Sequence, residues 1–452
     1  MSKIAVLGAG VSGLTAAWDL RRNGHEVLAL EASDDVGGTI GTERHDGYLL
    51  ETGPNTIALR GDAPARELLK QTGLLGEAID ASPEASKRFV VRGGRPLPVP
   101  SSPPALIRSK LFSLRGKLRL LLEPLLPRGK EPEVETVASF VKRRLGREAL
   151  DYAVDPFVSG IYTARPESMI LRHAFPLLSK LEAEHRSLFL GGMRMAKQRK
   201  KERLPKTRLI SFRNGLATLP RHLAKDLGES LRTNAPVQKV RREESGWAIE
   251  WTENGESRED RFDSALCALP AHKLSAITWE NLESEEDLSI VAETPHSPVV
   301  VLYQGFRRED VGHPLDGFGF LVPRKENLGI LGALFSSTLF PERAPDGHVL
   351  LTVFVGGERQ PELTEGGDDD LHNRALKDLR SLLDLKADPV FRHLRRWPQA
   401  IPVPDVGQTE RLAAIQRITE NNPGLHWTGS HLAGVSLSDC IEGALKESSN
   451  HG

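Results

Sequence analysis

Cysteine is scarce in this sequence. Cys267 and Cys440 are the only two among 452 residues, so no disulfide framework is expected and both are interpreted as small core residues. No signal-peptide pattern precedes the first predicted strand. Together these absences predict a reducing, cytoplasmic compartment.

Long apolar runs and net charge are also missing. No stretch approaches the roughly 18 apolar residues that a transmembrane helix needs. The 60 Lys and Arg nearly cancel the 61 Asp and Glu, which argues against a nucleic-acid partner. The sequence shows no catalytic triad, HExxH motif or metal-ligand cluster, so we predict neither a bound metal nor a catalytic side chain.

Glycine, by contrast, is abundant and forms a motif near the first residues. Residues 4–7 predict a buried strand, and the helix after them begins within Gly8-Ala9-Gly10-Val11-Ser12-Gly13. Such glycines let the backbone approach a pyrophosphate at a helix N-terminus. Glu31 ends the next predicted strand, where it can accept hydrogen bonds from ribose hydroxyls. With Gly37-Gly38 close behind, the pattern predicts FAD.

Two further segments carry local signals. Gly53-Pro54-Asn55-Thr56 predicts a turn whose amides can approach a ring system. Residues 87–130, ending at Lys130, hold eleven Lys or Arg against the single acid Glu123, and residues 186–208 are basic as well. Large apolar residues lie among these cations. They form either a solvated helical face or a surface that meets anionic lipid or guides an acidic substrate.

The pattern along the chain predicts an α/β protein. We expect a discontinuous Rossmann-like FAD-binding domain, an antiparallel-sheet substrate domain and a helical insertion that is a candidate for membrane association. The FAD-binding segments are residues 1–85, 209–275 and 406–452. The basic helical insertion covers residues 86–208, and the substrate domain covers residues 276–405, whose β-type runs between residues 299 and 355 alternate with turns.

Six motifs taken in order carry a resemblance. They are GPNT (53–56), RFV (88–90), DPFVSGIY (155–162), GFGFLVP (317–323), LFSS with FP (334–337, 340–341) and GVSLSDCIE (434–442). In this order they resemble the protoporphyrinogen and coproporphyrinogen oxidase family of FAD enzymes, which is related in fold to monoamine oxidases and carotenoid desaturases. The loop at residues 403–408 departs from the family, whose members continue there with Gln-Tyr and end in Gly-His.

The resemblance implies a set of cofactor contacts. Residues 8–13 would hold the pyrophosphate, Glu31 the ribose and the backbone of Val237 the adenine. The full set is Gly8, Ala9, Gly10, Val11, Ser12, Gly13, Glu31, Ala32, Gly38, Thr39, Gly53, Pro54, Asn55, Thr56, Val237, Trp397, Val435 and Ser436. Val435-Ser436 would lie at a helix N-terminus, whose dipole favours negative charge on the flavin.

The resemblance also implies four substrate contacts. Arg88 would pair with a porphyrinogen propionate, for which the guanidinium fork is well suited. Phe335 would lie against the tetrapyrrole, and Gly160 and Leu321 complete the set. The alternative is that Arg88 is an ordinary surface arginine and Phe335 an ordinary core residue.

The implied reaction is hydride transfer from a porphyrinogen methylene bridge to flavin N5, with molecular oxygen as the final oxidant. Three cycles would give six-electron oxidation to the porphyrin in heme biosynthesis, with release of hydrogen peroxide. Protoporphyrinogen IX is the preferred substrate and coproporphyrinogen III the alternative. An amine oxidase or polyene desaturase, and a non-enzymatic flavin-binding scaffold on a membrane, are the other hypotheses. Contact with the cytoplasmic face of the inner membrane and a homodimer are further expectations.

Overall fold

The computed structural model describes residues 1–61, 63–129, 133–203 and 205–451; Lys130 lies outside them. Five parallel strands form the sheet that contains the N-terminal glycine motif. Their order is Leu231–Arg232, Glu26–Leu30, Lys3–Leu7, Ser264–Cys267 and Leu425–Trp427. Residues 4–7 are fully buried, because both faces of this sheet are covered. The predicted discontinuous Rossmann-like domain is confirmed.

Helices from distant parts of the chain cover this sheet. Helix Val11–Arg22 packs against Thr218–Leu227 and against Leu437–Ser448, and their apolar residues share one core. The nucleotide-binding fold therefore depends on three stretches of chain that are far apart in sequence.

A seven-stranded sheet forms the second unit. Its order is Phe391–Pro402, His296–Arg307, His348–Gly356, Gly332–Phe335, Gly319–Leu321, Phe89–Val91 and Pro96–Pro98. All neighbours are antiparallel except Phe89–Val91 with Gly319–Leu321. Helix Asp368–Leu383 contributes its apolar residues to the core on one face of this sheet. The other face turns toward the FAD-binding unit, with which it shares a smaller core.

Within the described ranges, three smaller sheets complete the β-structure. Glu256–Phe262, Trp247–Glu253, Val237–Arg242 and Thr278–Glu280 form one, Ile57–Leu59, Arg208–Phe212 and Ala78–Asp80 another, and Thr42–His45 with Tyr48–Glu51 a hairpin. The hairpin leads directly into the Gly53-Pro54 turn.

Among the described residues, the chain between residues 99 and 207 forms helices and the turns that join them. Its helices are Pro103–Arg108, Leu114–Leu121, Val137–Arg144, Arg147–Ala149, Leu150–Val154 (a π-helix), Asp155–Tyr162, Leu171–Ala174, Pro176–His185 and Leu188–Lys201. The remaining α-helices are Pro64–Gln71, Leu74–Glu77, Glu286–Ala292, Ser336–Leu339, Gln408–Asn421 and Ser430–Ala433. Among the described residues, no helix is both long and apolar enough to cross a bilayer.

Candidate active site

The N-terminal glycine loop is built by close backbone packing. Gly8 has φ +96°, a conformation that side chains other than glycine rarely adopt. A Cβ on Gly13 would lie 1.9 Å from the carbonyl oxygen of Gly8. The loop therefore requires glycine at both positions, and it leads directly into helix Val11–Arg22.

The start of that helix suits an anion. Gly10 is its N-cap, and no described side chain caps it. First-turn amides of a helix lack intrahelical partners and attract phosphate. A Cβ on Gly10 would meet no described atom within 4 Å, so the loop is open on this side. This opening is where the pyrophosphate of FAD is predicted to bind.

Glu31 lies beside the loop, as the ribose contact requires. Its Oε2 accepts a hydrogen bond from the amide of Ala9 at 2.7 Å, and its Oε1 accepts one from Oγ of Ser33 at 2.5 Å. The amide of Ala235 donates to the carbonyl oxygen of Glu31 at 2.7 Å, which brings the half-buried Val237 to the same edge.

The Gly37-Gly38 pair packs against the N-terminal glycine loop. The amide of Gly37 donates to the carbonyl of Ala9 at 2.8 Å. Ala32, Gly38 and Thr39 are exposed along the same border. These predicted nucleotide contacts therefore form one continuous surface with the loop.

The turn after Glu51 is held by the seven-stranded sheet. The indole Nε1 of Trp397 donates to the carbonyl of Thr52 at 2.7 Å, and the hydroxyl of Tyr303 donates to the carbonyl of Glu51 at 2.6 Å. A Cβ on Gly53 would lie 2.2 Å from the carbonyl of Thr39, which links this turn to the nucleotide border. Pro54, Asn55 and Thr56 follow as half-buried residues.

A buried ion pair lies under this turn. Arg343 Nη2 is 2.9 Å from Oε1 of Glu51, and both side chains are at most 3% exposed. The carboxylate also accepts from Oγ1 of Thr42 and from the amide of Leu216, while Arg343 donates to Oγ of Ser211. Burial raises the pKa of Glu51 and lowers the pKa of Arg343, and each charge opposes that shift in the other. Sequence reasoning missed this pair, since 292 positions separate its members.

Val435 and Ser436 join the site from the last segment. Oγ of Ser436 caps helix Leu437–Ser448 by accepting from the amide of Asp439 at 3.1 Å. Val435 packs against the core of the helical insertion. They connect the third flavin segment to the side of the molecule on which substrate contacts are predicted.

Three of the four predicted substrate residues lie on adjoining elements. Gly160, on helix Asp155–Tyr162, contacts Leu321: a Cβ on it would lie 2.6 Å from Cδ2 of that leucine. Leu321 is paired in register with Val90, two residues after Arg88. Arg88 is exposed, and its guanidinium lies 5.2 Å from the centre of the Phe318 ring.

Phe335 does not share that surface. Its side chain is fully buried, and its ring lies 5.6 to 6.4 Å from the rings of His313, Phe320 and Phe89. Phe89, Phe320 and Phe335 belong to the core that helix Asp368–Leu383 covers, whereas Leu321 packs against the core of the insertion. Alternation along a strand sends neighbouring side chains to opposite faces. The geometry therefore favours the core interpretation of Phe335 over contact with a tetrapyrrole.

A dinucleotide-binding fold is combined here with an antiparallel sheet that holds the turn after Glu51. This combination is typical of a class of flavin-dependent oxidoreductases. The chain belongs to the flavin-containing amine oxidoreductase family, whose profile matches residues 11–450, and its cofactor is FAD.

Comparison with individual proteins gives full-length similarity. The chain is 34% identical to the mitochondrial protoporphyrinogen oxidase of Nicotiana tabacum, over 97% of this chain and 92% of that protein. It is 28% identical to coproporphyrinogen III oxidase of Bacillus subtilis, over 97% and 95%. Among solved structures, a provisionally assigned protoporphyrinogen oxidase from an Exiguobacterium species has a TM-score of 0.81 at 23% identity, covering 99% of this chain and 98% of that one. At that identity it shares the fold.

Proposed function

We propose that the protein oxidises a porphyrinogen to its porphyrin in heme biosynthesis, with protoporphyrinogen IX as the preferred substrate. One observation carries this proposal. Leu321, which contacts Gly160, and the strand that follows the exposed Arg88 both belong to the sheet whose Trp397 holds the turn after Glu51. The similarity to the tobacco enzyme supports it. Coproporphyrinogen III is the second candidate, because the Bacillus relative carries that name.

The residues present suit a reaction that needs little acid or base assistance. Bound FAD supplies the hydride acceptor. Leu321 and Gly160 offer an apolar wall against which a macrocycle can lie, and Arg88 offers a cation for a propionate. Trp397 and Tyr303 hold the turn after Glu51, which would position the flavin ring relative to this wall.

Both porphyrinogens given aerobically to the purified protein test the proposal through porphyrin fluorescence. We expect faster turnover of protoporphyrinogen IX. Arg88→Met should raise KM about 10-fold or more, because a charge-assisted contact is lost. The matched control is Arg95→Met, which removes another exposed arginine of the same region. Inactivity of the flavin-loaded protein on both substrates would exclude porphyrinogen oxidation.

We further propose molecular oxygen as the oxidant, with one hydrogen peroxide released per two-electron cycle. Removing oxygen should stop turnover after a single reduction of the flavin. Continued fluorescence growth without oxygen would contradict this part of the proposal. A homodimer stays a prediction that light scattering can decide.

The insertion supports contact with an anionic membrane on the cytoplasmic face. Large apolar side chains are exposed on and beside helix Leu114–Leu121: Leu114 is 83%, Leu118 58%, Leu121 65% and Leu125 80% exposed. Arg115 and Lys117 lie among them. Apolar residues interleaved with cations suit the interface of an anionic bilayer.

Flotation with phosphatidylglycerol vesicles tests this contact. We expect Leu118→Glu to weaken binding several-fold. Val390→Glu is the matched control, because Val390 is 53% exposed outside the insertion, directly before strand Phe391–Pro402. Equal losses in the two variants, or no wild-type binding, would contradict membrane attachment through this helix.

A further inference from the structure

Three side chains with metal-binding chemistry meet outside the predicted flavin and substrate contacts. Nε2 of His45 lies 2.9 Å from Oε2 of Glu43, and Nε2 of His393 lies 3.2 Å from the same oxygen. All three candidate donor atoms lie within 4.8 Å of one another, the one such group within the described ranges. We call these residues the Glu43 triad.

Strand alternation and an aromatic pair bring the triad together. Glu43 and His45 are two residues apart on strand Thr42–His45, so they share a face. Tyr48, opposite His45 in the hairpin, stacks on Phe391 with ring centres 4.4 Å apart. His393 follows Phe391 on the same face of its strand, and its ring stacks on that of His45 at 4.4 Å.

The triad is accessible and contains one carboxylate and two imidazoles. Side-chain exposures of His45, Glu43 and His393 are 40%, 35% and 31%. Arg395 is the adverse charge for a cation. It lies 4.8 Å over the Trp397 ring and is itself exposed.

We propose that Glu43, His45 and His393 bind a divalent transition-metal ion of the zinc class, with water completing the coordination. Two imidazoles and one carboxylate are ligands that Zn²⁺ accepts, and donor atoms around a tetrahedral zinc lie about 3.3 Å apart. The observed donor separations of 2.9 and 3.2 Å are close to that value. The metal replaces the shared hydrogen bonds as the link between the three side chains.

The ion joins two elements that also fix the flavin turn. The triad hairpin runs into Glu51 and Thr52, and strand Phe391–Pro402 carries Trp397, which donates to the Thr52 carbonyl. The His393 ring also lies 5.9 Å from that of Tyr303, whose hydroxyl holds the Glu51 carbonyl. Metal binding should therefore raise the thermal stability of the holoenzyme.

Titration of flavin-loaded, tag-free, chelator-treated protein with zinc chloride by calorimetry tests the proposal. We expect one ion per chain, and binding at least about 30-fold weaker in His393→Gln and in His45→Gln, because each removes a ligand. His222→Gln is the matched control: His222 faces the single carboxylate of Asp226 at 3.6 Å, and its loss should leave Kd unchanged.

Cobalt(II) absorption gives a readout that requires no variant. Visible bands of a low-coordinate nitrogen and oxygen site should appear at one equivalent of Co²⁺ in the wild type and vanish on adding zinc. Absence of one-equivalent binding, or binding that both triad variants retain, would overturn the proposal. Unchanged flavin absorbance in the variants shows that lost binding is not lost folding. The result does not depend on whether a porphyrinogen is the substrate.

Discussion

The glycine loop and the Glu51 turn border the same predicted flavin site but are held in different ways. The loop is fixed by backbone contacts between near neighbours, such as Gly13 against the carbonyl of Gly8. The turn is fixed by side chains from elsewhere: Tyr303, Arg343 and Trp397 lie 252, 292 and 345 positions from their partners. One end of the site is thus locally encoded, and the other exists only after the two units dock.

The largest expected effect comes from a substitution in the glycine loop, the locally encoded end of the site. Gly13→Ala places a Cβ where the Gly8 carbonyl lies, so we expect the purified protein to contain less than about a tenth of the wild-type FAD, measured from flavin absorbance. Gly192→Ala is the control, because no described heavy atom lies within 4 Å of a Cβ there. Normal FAD content in Gly13→Ala would show that the loop tolerates rearrangement.

The next largest effect comes from a substitution at the Glu51 turn, which residues distant in sequence hold in place. Arg343→Met leaves Glu51 buried without its cation, which should lower the free energy of unfolding by about 3 to 5 kcal/mol in urea titrations. Arg213→Met should lower the free energy of unfolding by about 0 to 1 kcal/mol, because Arg213 is 77% exposed and its ion pair with Glu342 is long, at 3.8 Å. Similar costs for the two variants would mean that the buried pair does not hold the turn.

A pH experiment examines another group assembled across distant segments. Burial, with the charges of His296, His272 and Arg411, lowers the pKa of His431 to about 4. Between pH 6.5 and 4 the unfolded chain therefore binds a proton there that the folded chain does not, so stability falls as the pH falls. His431→Gln should remove about 2 kcal/mol of the loss between pH 7.5 and 5.0. An unchanged slope in urea titrations would contradict this assignment. His222, whose side chain is only partly buried, is the control position.

The smallest expected effects come from removing, one at a time, the two side-chain hydrogen bonds that hold the turn. Tyr303→Phe and Trp397→Phe should each lower the free energy of unfolding by about 1 kcal/mol, and Tyr303→Phe by more, because the Tyr303 side chain is fully buried. Both should also shift the flavin absorption band, since the turn they hold borders the predicted ring site. Two unshifted spectra would mean that the turn keeps its position without them.

The local end could be predicted from the sequence because its rules are short-range. Gly8, Gly13 and Glu31 belong to one continuous strand–helix–strand unit. The structure places them as that pattern requires. Trp397 was placed near the flavin through family resemblance, and its indole does contact the turn. Its role as a flavin contact stays a prediction.

The distant end could not be predicted, for physical reasons. Glu51 and Arg343 each read as ordinary charged residues, and only docking of two sheets buries them together. Phe335 shows a different limit: the resemblance implied contact with a tetrapyrrole, but the side chain lies in a core, and the face of a strand side chain changes with each residue. The Glu43 triad needed the register between a hairpin and an edge strand, which no spacing in the sequence reveals.

The parallel sheet also has a consequence for protein synthesis. Lys3 donates its amide to Asp263, 260 positions later, so the first strand leaves the ribosome well before Ser264–Cys267, one of its two neighbours in the sheet. At about 5 to 20 residues per second, this leaves the nascent strand without that partner for roughly 13 to 50 s. A nascent chain of this topology therefore exposes an apolar strand edge that chaperones can bind until strand Ser264–Cys267 emerges.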